Sequence, residues 1–250
     1  LLDGGSDIYD MFTSALIDPL GERERLYLAV MSIADEFTPD MARFMTGMDG
    51  ADEVLSGLTE QNAFVTRLPD GVTYRFHHMM KTCAGRLFDA LGERERAEYL
   101  HRCAEWLERR GQYLGAMGRY IQCGDESAAL RVIAADAGVM LAALRPEELM
   151  SMIAGLSERA LTETPLAILV LMRRLFTIRQ IPKMLELRAL LVRAAEENAE
   201  LSDEERGNIL GECELIMSFL MYNDISEMSR LHRSASRQMT RPAVTIQAGS

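Results

Sequence analysis

Few side chains in this sequence have the types and spacing that reactive chemistry needs. His77 and His78 stand side by side, and Cys83 follows five positions after His78. Imidazole and thiolate both ligate metals, but this grouping matches no standard zinc spacing, and no metal site is expected from it. The four cysteines, at 83, 103, 123 and 213, include no CxxC pair. They read as reduced, mostly buried thiols. No GxxxxGK[ST] run occurs, and neither lysine, Lys81 or Lys183, follows a glycine-rich loop. There is no Walker B strand, no Ser-His-Asp or Cys-His arrangement, and no paired carboxylates in an identifiable pocket. By itself this chain reads as neither an enzyme nor the holder of a cofactor.

The paired histidines therefore raise a question of position. Before them the period-3.6 pattern dominates. Residues 7–21 carry Met11, Phe12, Ala15 and Leu16 at helical spacing and stop at Asp18-Pro19. A second helix is expected over "ERERLYLAVMSIADE". A third begins at Thr38-Pro39, a capping residue followed by a proline where no N–H is needed, and ends at Gly47. A fourth runs through "ADEVLSGLTEQNA" and closes at Asn62.

The period then drops to 2. Phe64, Thr66 and Leu68 share one side of a first strand, near 64–68. Val72, Tyr74 and Phe76 share one side of a second, near 72–77, with Thr73, Arg75 and His77 opposite. Pro69-Asp70-Gly71 supplies the turn. Short helices followed by a two-stranded wing outline a winged-helix domain, expected over residues 1–91. His77 would end the wing and begin the next helix. The amide groups there favour an anion, and imidazole can donate a hydrogen bond to it.

From Glu93 no strand signal remains. Four helix pairs follow, with starts roughly 35–40 residues apart, the period of helical-hairpin repeats. Residues 95–125 form the first. The second joins one long helix over 126–144 to another over 146–156. The third and fourth occupy 164–200 and 202–239. Thr164-Pro165 and a capping box of Ser202 with Glu205 mark two of the starts. Trp106, Gly111, Tyr113, Ala116 and Tyr120 give the first pair its likeness to a tetratricopeptide repeat, with the aromatics filling the gap between its helices. The expected fold class is mostly α: a winged-helix domain with one β-hairpin, then a TPR-like α-solenoid over 92–250, with paired helices to about 238. The first helices of the later pairs, 165–177 and 203–221, would line its concave face. Arg173, Arg174 and Tyr222 lie there without an obvious core role and are the expected effector contacts.

The chain of 250 residues carries a net charge of −11. Residues 1–91 hold 15 acidic and 7 basic side chains, a net of −8. A DNA-binding surface must offset phosphate charge, so this balance weighs against a DNA-binding winged helix. No membrane association is expected, because the longest purely apolar run, residues 166–172, is too short to span a bilayer. No signal peptide is evident. The chain begins with Leu and ends in "QAGS", so it reads as a piece of a longer polypeptide.

Residues 21–80, with "AEWLERRGQYLGAMGRYIQCGDESAALRVI" after them, resemble the large MalT-like, LuxR-family transcriptional regulators. These belong to the STAND class of signal-transduction ATPases. The blocks "FTPDMARFMTG", "LTEQNAFV" and "YRFHHMM" carry the likeness. In the last, His78 stands where the family commonly has proline and Met79 where it has leucine, while His77 matches. The resemblance covers about residues 20–240 and is weaker over the later repeats.

It implies a nucleotide-binding module upstream, binding ATP or ADP with Mg, and a LuxR-type helix-turn-helix downstream that alone meets DNA. It implies a cytoplasmic regulator whose repeat arm takes an effector, a small molecule or a protein. It also implies that His77 reaches the phosphates of bound ADP and holds the resting state. A stand-alone repeat scaffold for peptides, or a DNA-binding winged-helix protein, is the alternative.

Overall fold

The computed structural model describes residues 4–60, 65–199 and 201–247. Asn62 and Phe64, expected to close a helix and open a strand, lie outside the described residues. Up to Arg110 the chain forms one compact unit, which also takes in residues 122–124, and the rest from Gly111 forms a second.

The first unit runs α1 (Gly4–Leu16), α2 (Glu22–Met31), α3 (Pro39–Thr46), α4 (Ala51–Glu60), β1 (Val65–Arg67), β2 (Tyr74–Phe76), α5 (His78–Asp89) and α6 (Glu93–Glu108). Local chemistry sets several of these bounds. The Thr38 hydroxyl accepts the Met41 N–H at 3.2 Å, and Pro39 follows at the first helical position. Gly47 closes α3 in the left-handed region, where a side chain would be strained. Leu28 and Met31 of α2, Met45 of α3, Leu58 of α4 and Met80 of α5 are almost wholly buried in one core. Each such side chain contributes about 1.5–3 kcal/mol through apolar area removed from water.

The wing is antiparallel, pairing Val65 with Phe76, Thr66 with Arg75 and Arg67 with Tyr74. Val65 and Phe76 are its buried pair, so the inward position on β1 is 65 rather than 66 or 68. Val72 falls in the turn and is 58% exposed, outside the strand alternation expected of it. The Asp70 carboxylate organises that turn, accepting the Val72 and Thr73 N–H groups at 3.0 and 2.9 Å and the Thr73 hydroxyl at 2.5 Å. Phe37 adds a third edge. It exchanges two backbone hydrogen bonds with Tyr74, at 2.9 and 2.8 Å. Its ring packs on Tyr27, Tyr74 and Phe76.

Helix α6 also belongs to this unit. Tyr99 and Cys103 join its core, and an Arg102 guanidinium N–H donates to the Met45 carbonyl at 3.2 Å. Trp106 lies against Phe44 of α3, ring centroids 5.4 Å apart. Helix α6, which follows the expected 91/92 division, packs with this unit.

The second unit holds α7 (Tyr113–Gln122), α8 (Glu126–Ala135), α9 (Pro146–Gly155), α10 (Glu158–Glu163), α11 (Pro165–Thr177), α12 (Ile181–Glu197), α13 (Asp203–Ser218), α14 (Ile225–Gln238) and α15 (Val244–Gln247). It is a stack of helical hairpins, so the chain is mostly α, a winged-helix domain with one β-hairpin followed by a helical solenoid. The long helix expected over 126–144 is broken. Ala137 and Gly138 both take positive φ, and Val139–Ala143 is a short 3-10 turn. Helix α10 and the segment after α14 also depart from a plain series of four pairs.

Helix α11 is the hub. Ala167 to Met172 and Leu175 are buried, and α8, α10, α12, α13 and α15 all pack on it. Gly207 and Gly211 let α14 approach α13 closely. A Cβ at 207 would stand 2.7 Å from the Gln238 carbonyl oxygen. The Ser202–Glu205 capping box forms as expected, whereas the Thr164 hydroxyl makes no capping bond.

Beyond α14 the chain is strapped to α13. The Asn208 side-chain oxygen accepts the Thr240 and Arg241 N–H groups at 2.8 and 3.2 Å. Fully buried Glu212 accepts the Thr245 N–H at 2.6 Å and an Arg241 guanidinium N–H at 3.3 Å.

Candidate functional site

Two places hold the residues singled out above, Tyr222 excepted. The first is the junction of β2 and α5. Phe76, 4% exposed, ends the strand inside the core, and Met80, wholly buried, anchors the first turn of the helix. Between them His77 is the residue preceding α5, with its backbone held and its side chain exposed. Its carbonyl accepts the Lys81 N–H at 2.9 Å, while its imidazole caps nothing. The first-turn amides of α5 have no side-chain cap either. An exposed imidazole donor beside the amides of a helix start can meet an anion.

The neighbouring charges are committed: Arg75 pairs with Glu36, and Lys81 with Asp35. His78 is exposed as well, and its carbonyl accepts the Thr82 hydroxyl at 3.1 Å. Cys83 is buried, with its sulfur 3.8 Å from the Tyr9 carbonyl. The described residues contain no group of three His, Cys, Asp or Glu side chains arranged to hold a metal.

The second place is a pocket of about 290 Å³ in the helical stack. The broken stretch at Gly138 and Val139 forms one wall and Val170 of α11 another, with Arg173, Arg174 and Thr245 also lining it. The two arginines are thus brought together. Tyr222 does not line this pocket; it follows the 3-10 turn Phe219–Met221 and is 76% exposed.

Arg173 Nη1, Arg174 Nε and Thr245 Oγ1 are buried with no hydrogen-bond partner among the described residues. The nearest relief is weak: an Arg174 terminal N–H reaches the Leu144 carbonyl at 3.5 Å. Thr245 gave no signal in the sequence. The break that opens the pocket had one, an isolated glycine inside a helical pattern.

Cys213 on α13 is chemically quiet. Burial, the largest effect, pushes its thiol up to about 11. No described helix is long and apolar enough to cross a membrane.

Helices, a two-stranded wing and a helix running straight out of the wing define a winged-helix domain. Residues 13–99 match the family model of the MalT winged helix domain. The chain therefore carries a MalT-like winged-helix region, and the matched span reaches into α6. No curated protein and no solved structure matches the chain.

Proposed function

We propose that this chain is the regulatory and sensor part of a MalT-like, LuxR-family transcriptional regulator of the STAND class. The observation that carries the reading is the match of residues 13–99 to the MalT winged helix domain, with His77 at the end of its wing. In this reading the winged helix senses the state of a nucleotide held by an upstream ATP-binding module, with ATP or ADP and Mg. The exposed, uncapping imidazole of His77 meets the phosphates of ADP and favours the resting state. The TPR-like arm takes an effector through Arg173, Arg174 and Tyr222. DNA is met only by a downstream helix-turn-helix, in the cytoplasm. The segment itself catalyses nothing and adjusts an equilibrium.

A contact moves a two-state equilibrium only by its differential affinity for the two states. A hydrogen bond to a charged group is worth about 1.5–3 kcal/mol, so losing it shifts the resting-to-active ratio about ten- to a hundredfold. In the intact polypeptide, His77→Ala should speed ADP release and raise effector-independent transcription, with helical content unchanged. His78→Ala should do much less. Parental ADP release and basal transcription in a folded His77→Ala protein would defeat the reading. The gene's flanking sequence gives the quickest check: a GxxxxGK[ST] loop upstream and a helix-turn-helix downstream are expected.

A further inference from the structure

We infer that the pocket between the 137–143 turn and α11 is a binding site for a small oxyanion, a phosphate or carboxylate carried on a short apolar body. The inference deepens the effector reading above by naming the ligand's chemistry, and it rests on that reading only for its regulatory meaning.

The argument begins with unmet hydrogen bonds. Buried polar groups in folded proteins nearly always find a partner, and those that do not call for one. Among the described residues the buried side-chain atoms without a partner are Tyr27 Oη, Arg173 Nη1, Arg174 Nε and Thr245 Oγ1. Three of these four belong to residues lining one pocket. They come from α11 and from the far end of the chain, so local backbone geometry does not explain their clustering.

The donor set indicates the ligand. Guanidinium groups only donate, and threonine hydroxyls can donate. No described carboxylate lies within ion-pair distance of Arg173 or Arg174, and the pocket lining contains no Asp or Glu. Two adjacent cations without a counter-charge, in a chain of net charge −11, call for an acceptor-rich anion rather than a neutral polyol. Arginine forks match both carboxylate and phosphate. Val139, Ala142 and Val170 supply an apolar wall, which suits a short carbon body attached to the charged head. A pocket of about 290 Å³ limits that ligand to metabolite size.

The test uses the 250-residue chain at constant ionic strength, with inorganic phosphate, propylphosphonate and butyrate as probes and chloride as the control. Calorimetric titration and thermal unfolding are read on the parent, Arg173→Met, Arg174→Met and Thr245→Val. Saturable binding to the parent by at least one oxyanion probe is expected, tighter for propylphosphonate than for phosphate if the apolar wall contributes. Either arginine variant should weaken it about ten- to a hundredfold, the worth of one hydrogen bond to a charged group. The phosphorus and carboxylate arms separate the two head groups. Arg173→Met should also leave the unliganded protein as stable as the parent or more so, because it removes an unpaired buried donor.

No probe binding above chloride, or binding that both arginine variants retain in full, overturns the inference. So does loss of stability in unliganded Arg173→Met, which would show the guanidinium to be structurally paired. Because no nucleotide enters the assay, a positive result stands even where the His77 test fails, and a negative one leaves the His77 reading untouched.

Discussion

Gly138 and Val170 lie so close that no side chain fits between them: a Cβ at 138 would overlap the Val170 Cγ1 methyl. Gly138 also has φ of +78°, where L-residues are strained. The contact seats the 137–143 turn on α11 and thereby forms a wall of the arginine pocket.

Gly138→Ala should therefore destabilise the helical stack by about 1–3 kcal/mol, through overpacking added to backbone strain. Adding Val170→Ala should relieve the overlap and leave the strain. Urea unfolding of the single and double variants checks this. Equal midpoints for Gly138→Ala and the parent would show that the turn lies elsewhere.

Tyr27 carries a wholly buried ring and a hydroxyl without a partner among the described residues. Burial, followed by the charges of Asp52 and Tyr74, drives its pKa well above that of an ordinary phenol. Tyr27→Phe should leave stability unchanged or raise it by about 1–3 kcal/mol, since an unsatisfied buried group is removed. The sign with pH follows from proton binding. As pH rises past about 10, the unfolded phenol releases its proton while the folded one keeps it, so stability falls. Unfolding midpoints between pH 9 and 11 should decline less steeply in the phenylalanine variant.

The Asp70 carboxyl is held below the usual carboxylate range, first by the Thr73 hydroxyl and then by the Thr73 and Val72 N–H groups. Its support of the wing turn is present above the unfolded carboxyl pKa and is lost as pH falls through the lower folded value. In an NMR titration the Val72 and Thr73 amides should therefore shift with a midpoint below about 3.9, the ordinary Asp value. Asp70→Ala should abolish that titration and loosen the wing while leaving the helices intact.

Glu212 is fully buried, and the strap beyond α14 hangs from it. Glu212→Leu removes the acceptor for the Thr245 N–H and the Arg241 guanidinium, a loss of about 1.5–3 kcal/mol if the hydrogen bonds to charge are worth their ordinary amount. Hydrogen exchange over residues 240–245 should speed up far more than exchange in α11. Unchanged protection of Thr245 would mean that Asn208 alone holds the strap.

The sequence by itself determined what short-range physics controls. The Thr38-Pro39 start of α3, its Gly47 stop, the Ser202–Glu205 box and the Asp70 turn each depend on groups a few residues apart. The shift of apolar period from 3.6 to 2 located the wing, which placed His77 at its end. The all-apolar face pattern of α11 announced its burial, and the charged pair Arg173-Arg174 stood out against it. Only the tertiary structure decided what depends on surfaces meeting. Phe37 completes the wing because the segment after α2 is carried alongside Tyr74. Trp106 joins the first unit because α3 offers it Phe44. Thr245 lines the arginine pocket because Glu212 draws the end of the chain back to α13. Such partners lie tens of residues or more apart, and a local pattern of apolar and polar positions says which face of a helix is buried but not what covers it.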